Sequence, residues 1–181
     1  MGIPSLRIAG QPRRPVLEGN VAVREGRRLS FAEYGAARGD AIIWLHGTPG
    51  GRRQIPLDAR AYAEEHGLRI IGVDRPGIGS STPHLYDNIL DWTGDLRLLL
   101  DALGIDRARV IGLSGGGPYA LAAGAGLPDR VIGVGVLGGV EVDIQPVDVA
   151  HQSDVGFVGA LHRVGGAGRA EPRASHRPFA D

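Results

Sequence analysis

Val110-Ile111-Gly112-Leu113-Ser114-Gly115-Gly116-Gly117-Pro118-Tyr119 joins an apolar, strand-like run to a helix-like one through a G-x-S-x-G turn. A serine at that join sits on a sharp, strained turn that lifts its hydroxyl above a parallel sheet. Gly112 and Gly116 fit because the neighbours of such a turn pack where a Cβ would stand. The turn also sets Ser114 at a helix N-terminus, where free N–H groups and the helix dipole stabilise developing negative charge. Ser114 is therefore the candidate nucleophile.

The chain on either side of this turn supplies the frame it needs. Val21-Ala22-Val23 and Leu29 to Tyr34 read as strands of a hairpin around Glu25-Gly26-Arg27, with Leu29, Phe31 and Glu33 on one face and Ala32 and Tyr34 on the other. Ala41 to Leu45, Arg69 to Val73, Arg109 to Leu113 and Val131 to Leu137 are short apolar runs of the buried-strand kind. Helices are expected at Leu57 to His66, at Ile89 to Leu103 and at Pro118 to Ala125. In the second of these Trp92, Leu96, Leu99, Leu100 and Leu103 recur on one face and Gly104 closes it. Alternating strands and helices predict a three-layer α/β/α fold around a mostly parallel sheet of about six strands.

Composition narrows the function classes. A chain of 181 residues, 43% hydrophobic, can bury one sizeable core. Lys and Arg balance Asp and Glu to a formal net charge of zero, so no basic field favours nucleic acid or an anionic membrane. With no cysteine there are no disulfides, thiolate metal sites or cysteine nucleophile. No window is apolar for long enough to span a membrane, and Arg13-Arg14 lacks the apolar stretch of an export signal. A cytoplasmic protein is the expectation. Residues 1–19 read as an extended lead-in, 20–147 as the folded core, and 148–181 as a disordered or poorly packed tail. In that tail glycines, arginines and alanines follow no period, and Phe157-Val158 and Leu161 are too few to anchor an element.

Two more motifs end strands. His46-Gly47-Thr48-Pro49-Gly50 follows Ala41 to Leu45, and its backbone can turn the Thr48 N–H to join that of Gly115 in holding an oxyanion. The His46 imidazole reads as a loop brace rather than a proton shuttle. Asp74-Arg75-Pro76-Gly77-Ile78-Gly79-Ser80-Ser81 follows Arg69 to Val73, and Asp74 and Arg75 read as braces of neighbouring loops. Gly133-Val134-Gly135-Val136-Leu137-Gly138 matches the dinucleotide fingerprint G-x-G-x-x-G, but no helix opens within it and it reads as one buried strand. No cofactor and no metal are expected, since no glycine loop carries a Walker-type lysine and no histidine–carboxylate spacing suggests zinc.

From Val21 to Gly139 the H-G-x-P-G loop, the D-R-P-G-x-G-x-S segment and the G-x-S-G-G-G-P turn, in this order, resemble the α/β-hydrolase family. The resemblance implies a partial α/β-hydrolase core in which Ser114 attacks an ester, amide or related acyl carbon of a small molecule, with Thr48 and Gly115 as oxyanion donors. A serine in place of an aspartate disfavours the dehalogenase and epoxide-hydrolase chemistries of the family. The resemblance also implies an acid and then a histidine on later loops, after a cap. Glu141 and Asp143 are the candidates for the acid, while His151, His162 and His176 sit on no recognisable final strand. Two further strands and most of a cap are missing, and the abrupt change of composition points to a truncated or frame-shifted copy of a longer enzyme. Two readings follow: a serine hydrolase lacking its acid and histidine half, or a non-catalytic remnant that self-associates through the exposed edge of strand 131–137.

Overall fold

The computed structural model describes residues 14–138 and the backbone of Gly156–Phe157. Its elements are β1 (Leu17–Ala22), β2 (Arg28–Gly35), β3 (Asp40–Leu45), α1 (Leu57–Glu65), β4 (Leu68–Val73), α2 (Trp92–Ala102), β5 (Ala108–Leu113), α3 (Gly117–Gly126), β6 (Val131–Leu137) and β7 (Gly156–Phe157). They form one sheet in the order β1-β2-β4-β3-β5-β6-β7. The pairs β1/β2 and β2/β4 are antiparallel and the other four are parallel. The sheet is thus mixed and mostly parallel, as the alternation of elements predicts.

Strand periodicity of two divides the core into two layers. Leu29 and Phe31 of β2, Ile43 and Leu45 of β3, Ile71 and Val73 of β4, and Val110 of β5 face α2 and α3, where Trp92, Leu96, Leu99, Leu100, Ala120 and Ala123 close the larger cluster. Ala32, Tyr34, Trp44 and Ile70 face the other way, onto Ala63 of α1 and Ile55. Both faces of the central strands are therefore dry, which is why those strands read as continuous apolar runs. Helices on both sides make three layers.

Four details differ from expectation. β1 begins at Leu17, inside the stretch read as lead-in, because Leu17 and Glu18 pair with Glu33 and Ala32 across the hairpin. The helix expected from Ile89 starts as a 3₁₀ turn, Ile89–Asp91, with Asn88 capping Leu90 N–H, and becomes α-helical at Trp92. In β6 only Val131 is buried, and Leu137 is exposed. A seventh strand, β7, lies in the segment read as aperiodic and pairs Gly156 and Phe157 with Gly133 and Val134. Parallel pairing uses main-chain groups, so a two-residue strand needs no side-chain period to form. The rest of the 148–181 tail, Glu141, Asp143, His151, His162 and His176 lie outside the described residues. Among the described residues no helix is long and apolar enough to cross a membrane.

Candidate active site

The chain runs from β3 to β4 on one side of the sheet's middle, then through α2 to β5 on the other side of β3. The carboxyl ends of β3 and β5 thus bound the point where strand order reverses, the place where open α/β sheets leave a crevice. Ser114 follows β5 there, His46-Gly47-Thr48 follows β3, and Asp74-Arg75 follows the neighbouring β4. The topology gathers all three sequence motifs at one end of the sheet.

Ser114 has a left-handed backbone, φ +46°, which costs an L-residue about 1–2 kcal/mol and persists only where the surroundings impose it. The surroundings here are close. A Cβ on Gly112 would stand 2.5 Å from the Gly116 carbonyl oxygen and 2.9 Å from the Ala120 methyl carbon. The chain therefore turns at once into a 3₁₀ turn, Ser114–Gly116, and then into α3. Ser114 is half-buried, and its Oγ makes no hydrogen bond to another described side chain.

The 46–49 loop lies against this turn. A Cβ on Gly47 would be 3.5 Å from Ser114 Cβ, and one on Gly115 would be 2.8 Å from Thr48 Oγ1. Thr48 and Gly115, the expected oxyanion donors, are therefore neighbours, with Ser114 beside them. Gln54, which carried no signal in the sequence, steadies the loop: its Oε1 accepts from Gly47 N–H at 2.9 Å and its Nε2 donates to the Pro49 carbonyl at 3.2 Å.

His46 is fully buried. Its Nε2 accepts from the Arg75 N–H at 3.2 Å and its Nδ1 lies 2.7 Å from the Gly47 carbonyl, so the proton resides on Nδ1. Burial pushes its pKa below the usual histidine value and the Arg75 cation adds to that, against the opposing pull of the Gly47 carbonyl. A neutral ring with both nitrogens engaged braces the loop and is not free to take a proton from Ser114.

Asp74, also buried, accepts from Arg52 N–H and from Arg52 Nη1, both at 2.5 Å. Its carboxylate is committed to the 50–54 loop. A surface cleft of about 360 Å³ lies between that loop and residues 74–79, and Ser114 does not line it. Arg75 donates to the carbonyls of Gly115 (2.9 Å) and Gly47 (3.2 Å) and to Thr48 Oγ1 (2.6 Å), and stacks over Tyr119 with 5.2 Å to the ring centre. Among the described residues no group of three or more His, Asp or Glu side chains is placed to hold a metal ion.

A further buried charge holds the frame. Asp95 of α2, fully buried, accepts from Arg27 (2.5 and 3.1 Å), Arg24 (2.8 Å) and Tyr86 (2.6 Å). Burial alone would raise its pKa, but the hydrogen bonds from Arg27, Tyr86 and Arg24 hold it below the usual carboxylate value. The same burial and the Asp95 charge push the Tyr86 phenol well above its ordinary value. The cluster fastens the β1–β2 turn and the 82–88 loop to α2, and nothing in the local sequence signalled it.

The chain is similar to known proteins in sequence and in fold. Residues 40–166 match the sequence profile described as alpha/beta hydrolase fold. Proline iminopeptidases from Xanthomonas citri and Arabidopsis thaliana are each 36% identical, over 61% and 71% of this chain and 36% and 34% of their own lengths. The Neisseria gonorrhoeae proline iminopeptidase is 29% identical over 83% of this chain and 48% of its own. The chain thus spans between a third and a half of the length of these relatives. Among solved structures, the epoxide hydrolase CorEH superposes with a TM-score of 0.62 at 23% identity, covering 75% of this chain and 46% of that one. An esterase from Thermogutta terrifontis superposes with 0.59 at 24%, covering 72% and 48%. These two likenesses concern the fold alone. Together with the strand order and the turn at Ser114, the profile match over most of its length makes this chain a member of the alpha/beta hydrolase fold family.

Proposed function

We propose that Ser114 is the nucleophile of a serine hydrolase acting on small acyl substrates, with the amides of Thr48 and Gly115 as its oxyanion hole. One observation carries the reading: a serine held at φ +46° at the carboxyl end of β5, with the Gly47-Thr48 loop against it. Ser114 Oγ would bond to the acyl carbon while its proton passes to a general base and the carbonyl oxygen becomes an anion facing the two amides. Collapse of that intermediate breaks the bond to the leaving group, which takes up the proton. Water then releases the acyl group from Ser114.

His46, with both ring nitrogens engaged, is not that base. Losing the base altogether typically costs about a million-fold in kcat. The relatives' name makes a prolyl substrate the first amide to try, and a serine nucleophile sets the site apart from a carboxylate-based epoxide hydrolase. The test is hydrolysis of p-nitrophenyl acetate and of proline p-nitroanilide by purified protein beside Ser114→Ala. Turnover that Ser114→Ala abolishes supports the reading, and turnover unchanged in Ser114→Ala rejects it.

A second reading has its own observation. Among the described residues the outer side of β6 is paired only at Gly133 and Val134, and Leu137 at its end is exposed. A second copy could add its own strand there. Protein that elutes as a dimer or larger and turns over neither substrate favours a non-catalytic, self-associating role.

A further inference from the structure

We propose that Arg75 is a positioning residue of the oxyanion site, an inference that rests on reading Thr48 and Gly115 as the donors. The argument begins with one peptide plane. The Gly47 carbonyl and the Thr48 N–H belong to the same trans peptide, so they point in opposite directions and move together. That carbonyl is held by Arg75 Nη2 at 3.2 Å and by His46 Nδ1 at 2.7 Å. Fixing the oxygen from one side fixes the direction of the Thr48 N–H on the other.

The same guanidinium sets the width of the site. Its Nη1 donates to the Gly115 carbonyl at 2.9 Å and its Nη2 to Thr48 Oγ1 at 2.6 Å. One planar fork thus spans the 46–49 loop and the serine turn, which come from strands β3 and β5 and share no covalent link nearby. Arg75 is in turn held by its own N–H on His46 Nε2 and by the Tyr119 ring beneath it. His46, Arg75 and the Gly47 carbonyl form a closed set of hydrogen bonds, each fixing the next.

The cation also acts on the strength of the donor. A positive charge on a peptide's carbonyl draws electron density from its nitrogen and makes the N–H a better donor. That matters most when full charge develops on the substrate oxygen, so the contribution falls on kcat more than on KM.

The test measures kcat and KM for p-nitrophenyl acetate, and the rate of Ser114 modification by a fluorophosphonate, in the unsubstituted protein, Arg75→Met and Arg75→Lys. Removing one oxyanion donor costs about 10²–10³ in kcat. Arg75→Met, which leaves the donor present but unaimed, is expected to lower kcat about 10–100-fold with KM within about twofold. Lysine keeps the charge and loses the fork, so Arg75→Lys is expected between the two. Unchanged kcat and modification rate in Arg75→Met, or a loss confined to KM, overturns the proposal. If Arg75→Met does not fold, Arg75→Lys decides: a kcat equal to the unsubstituted protein's overturns it. An unsubstituted protein that neither turns over nor is modified at Ser114 refutes the hydrolase reading and this inference with it, whereas an active protein indifferent to Arg75 refutes this inference alone.

Discussion

Gly116 stands so close to the end of β3 that a Cβ on it would lie 2.3 Å from the Leu45 carbonyl oxygen and 2.9 Å from that of His46. The serine turn is thereby pressed against the strand that feeds the 46–49 loop. Neither contact can yield cheaply, because both neighbours are backbone. Gly116→Ala is expected to destabilise the protein by about 3 kcal/mol, the upper end for overpacking a close-fitted site. Urea unfolding measures it, and a loss below about 0.5 kcal/mol, the level of an ordinary surface change, would show that the turn is not clamped.

Strain at Ser114 gives a second expectation. Glycine adopts φ +46° without the Cβ penalty. Ser114→Gly should therefore be more stable than Ser114→Ala by about 1 kcal/mol, as seen in the urea midpoint at equal slope. Equal stability of the two would place the residue in an ordinary conformation.

Asp95 is expected to matter more for stability than any exposed ion pair. Removing one partner of a buried pair leaves the others unpaired in a dry site and costs about 3–5 kcal/mol. Asp95→Asn, which keeps the shape and loses the charge facing Arg27 and Arg24, should fall in or just below that range. By contrast Arg97→Met, breaking the exposed pair with Asp129, should leave the stability nearly unchanged, because solvent screens both charges. Similar losses for the two in thermal or urea unfolding would contradict the hierarchy.

His46 links stability to pH. Its folded pKa lies below the ordinary 6.5 because it is buried and faces the Arg75 cation. The unfolded chain therefore takes up a proton at a higher pH than the folded one. The stability this contributes is complete above 6.5 and is lost as pH falls through the folded value. Glu18 and Asp95, whose values are also lowered, act below 4.5 and 3.8 and so leave this window clear. Unfolding free energy should fall between pH 7 and pH 5, and His46→Asn should flatten that slope. An identical slope in His46→Asn would show that the ring is protonated as readily folded as unfolded.

Much of the fold was legible because its signals are local. Trp92, Leu96, Leu99 and Leu100 mark one face of α2 and are all buried, and the apolar runs at Ala41–Leu45 and Val131–Leu137 mark strands within a residue of their ends. The strand–turn–helix around Ser114 was equally plain from its G-x-S-x-G spacing. Gly112 answers to Gly116 and Ala120 a few residues away, whereas Gly116 answers to Leu45 and His46 far back in the chain. What stayed hidden depends on partners distant in sequence. Glu18-Gly19-Asn20 has no strand propensity, and β1 includes it through its partner strand and through Glu18's bonds to Arg52 and Arg53. Arg75 meets Gly47 and Gly115 from 28 and 40 positions away, and Asp95 meets Arg27 and Arg24 from 68 and 71. A brace could be guessed for Arg75 from its loop, but not which carbonyls it holds.

The central claim is that Ser114 is a reactive nucleophile, and covalent modification tests it without needing a known substrate. Incubation with a fluorophosphonate, in which the serine oxygen displaces fluoride from phosphorus, is followed by peptide mass spectrometry of the folded protein and of Ser114→Ala. The adduct is expected on the peptide carrying Ser114 and is expected to vanish in Ser114→Ala. An adduct on another residue, or none on protein with an intact unfolding transition, contradicts the claim.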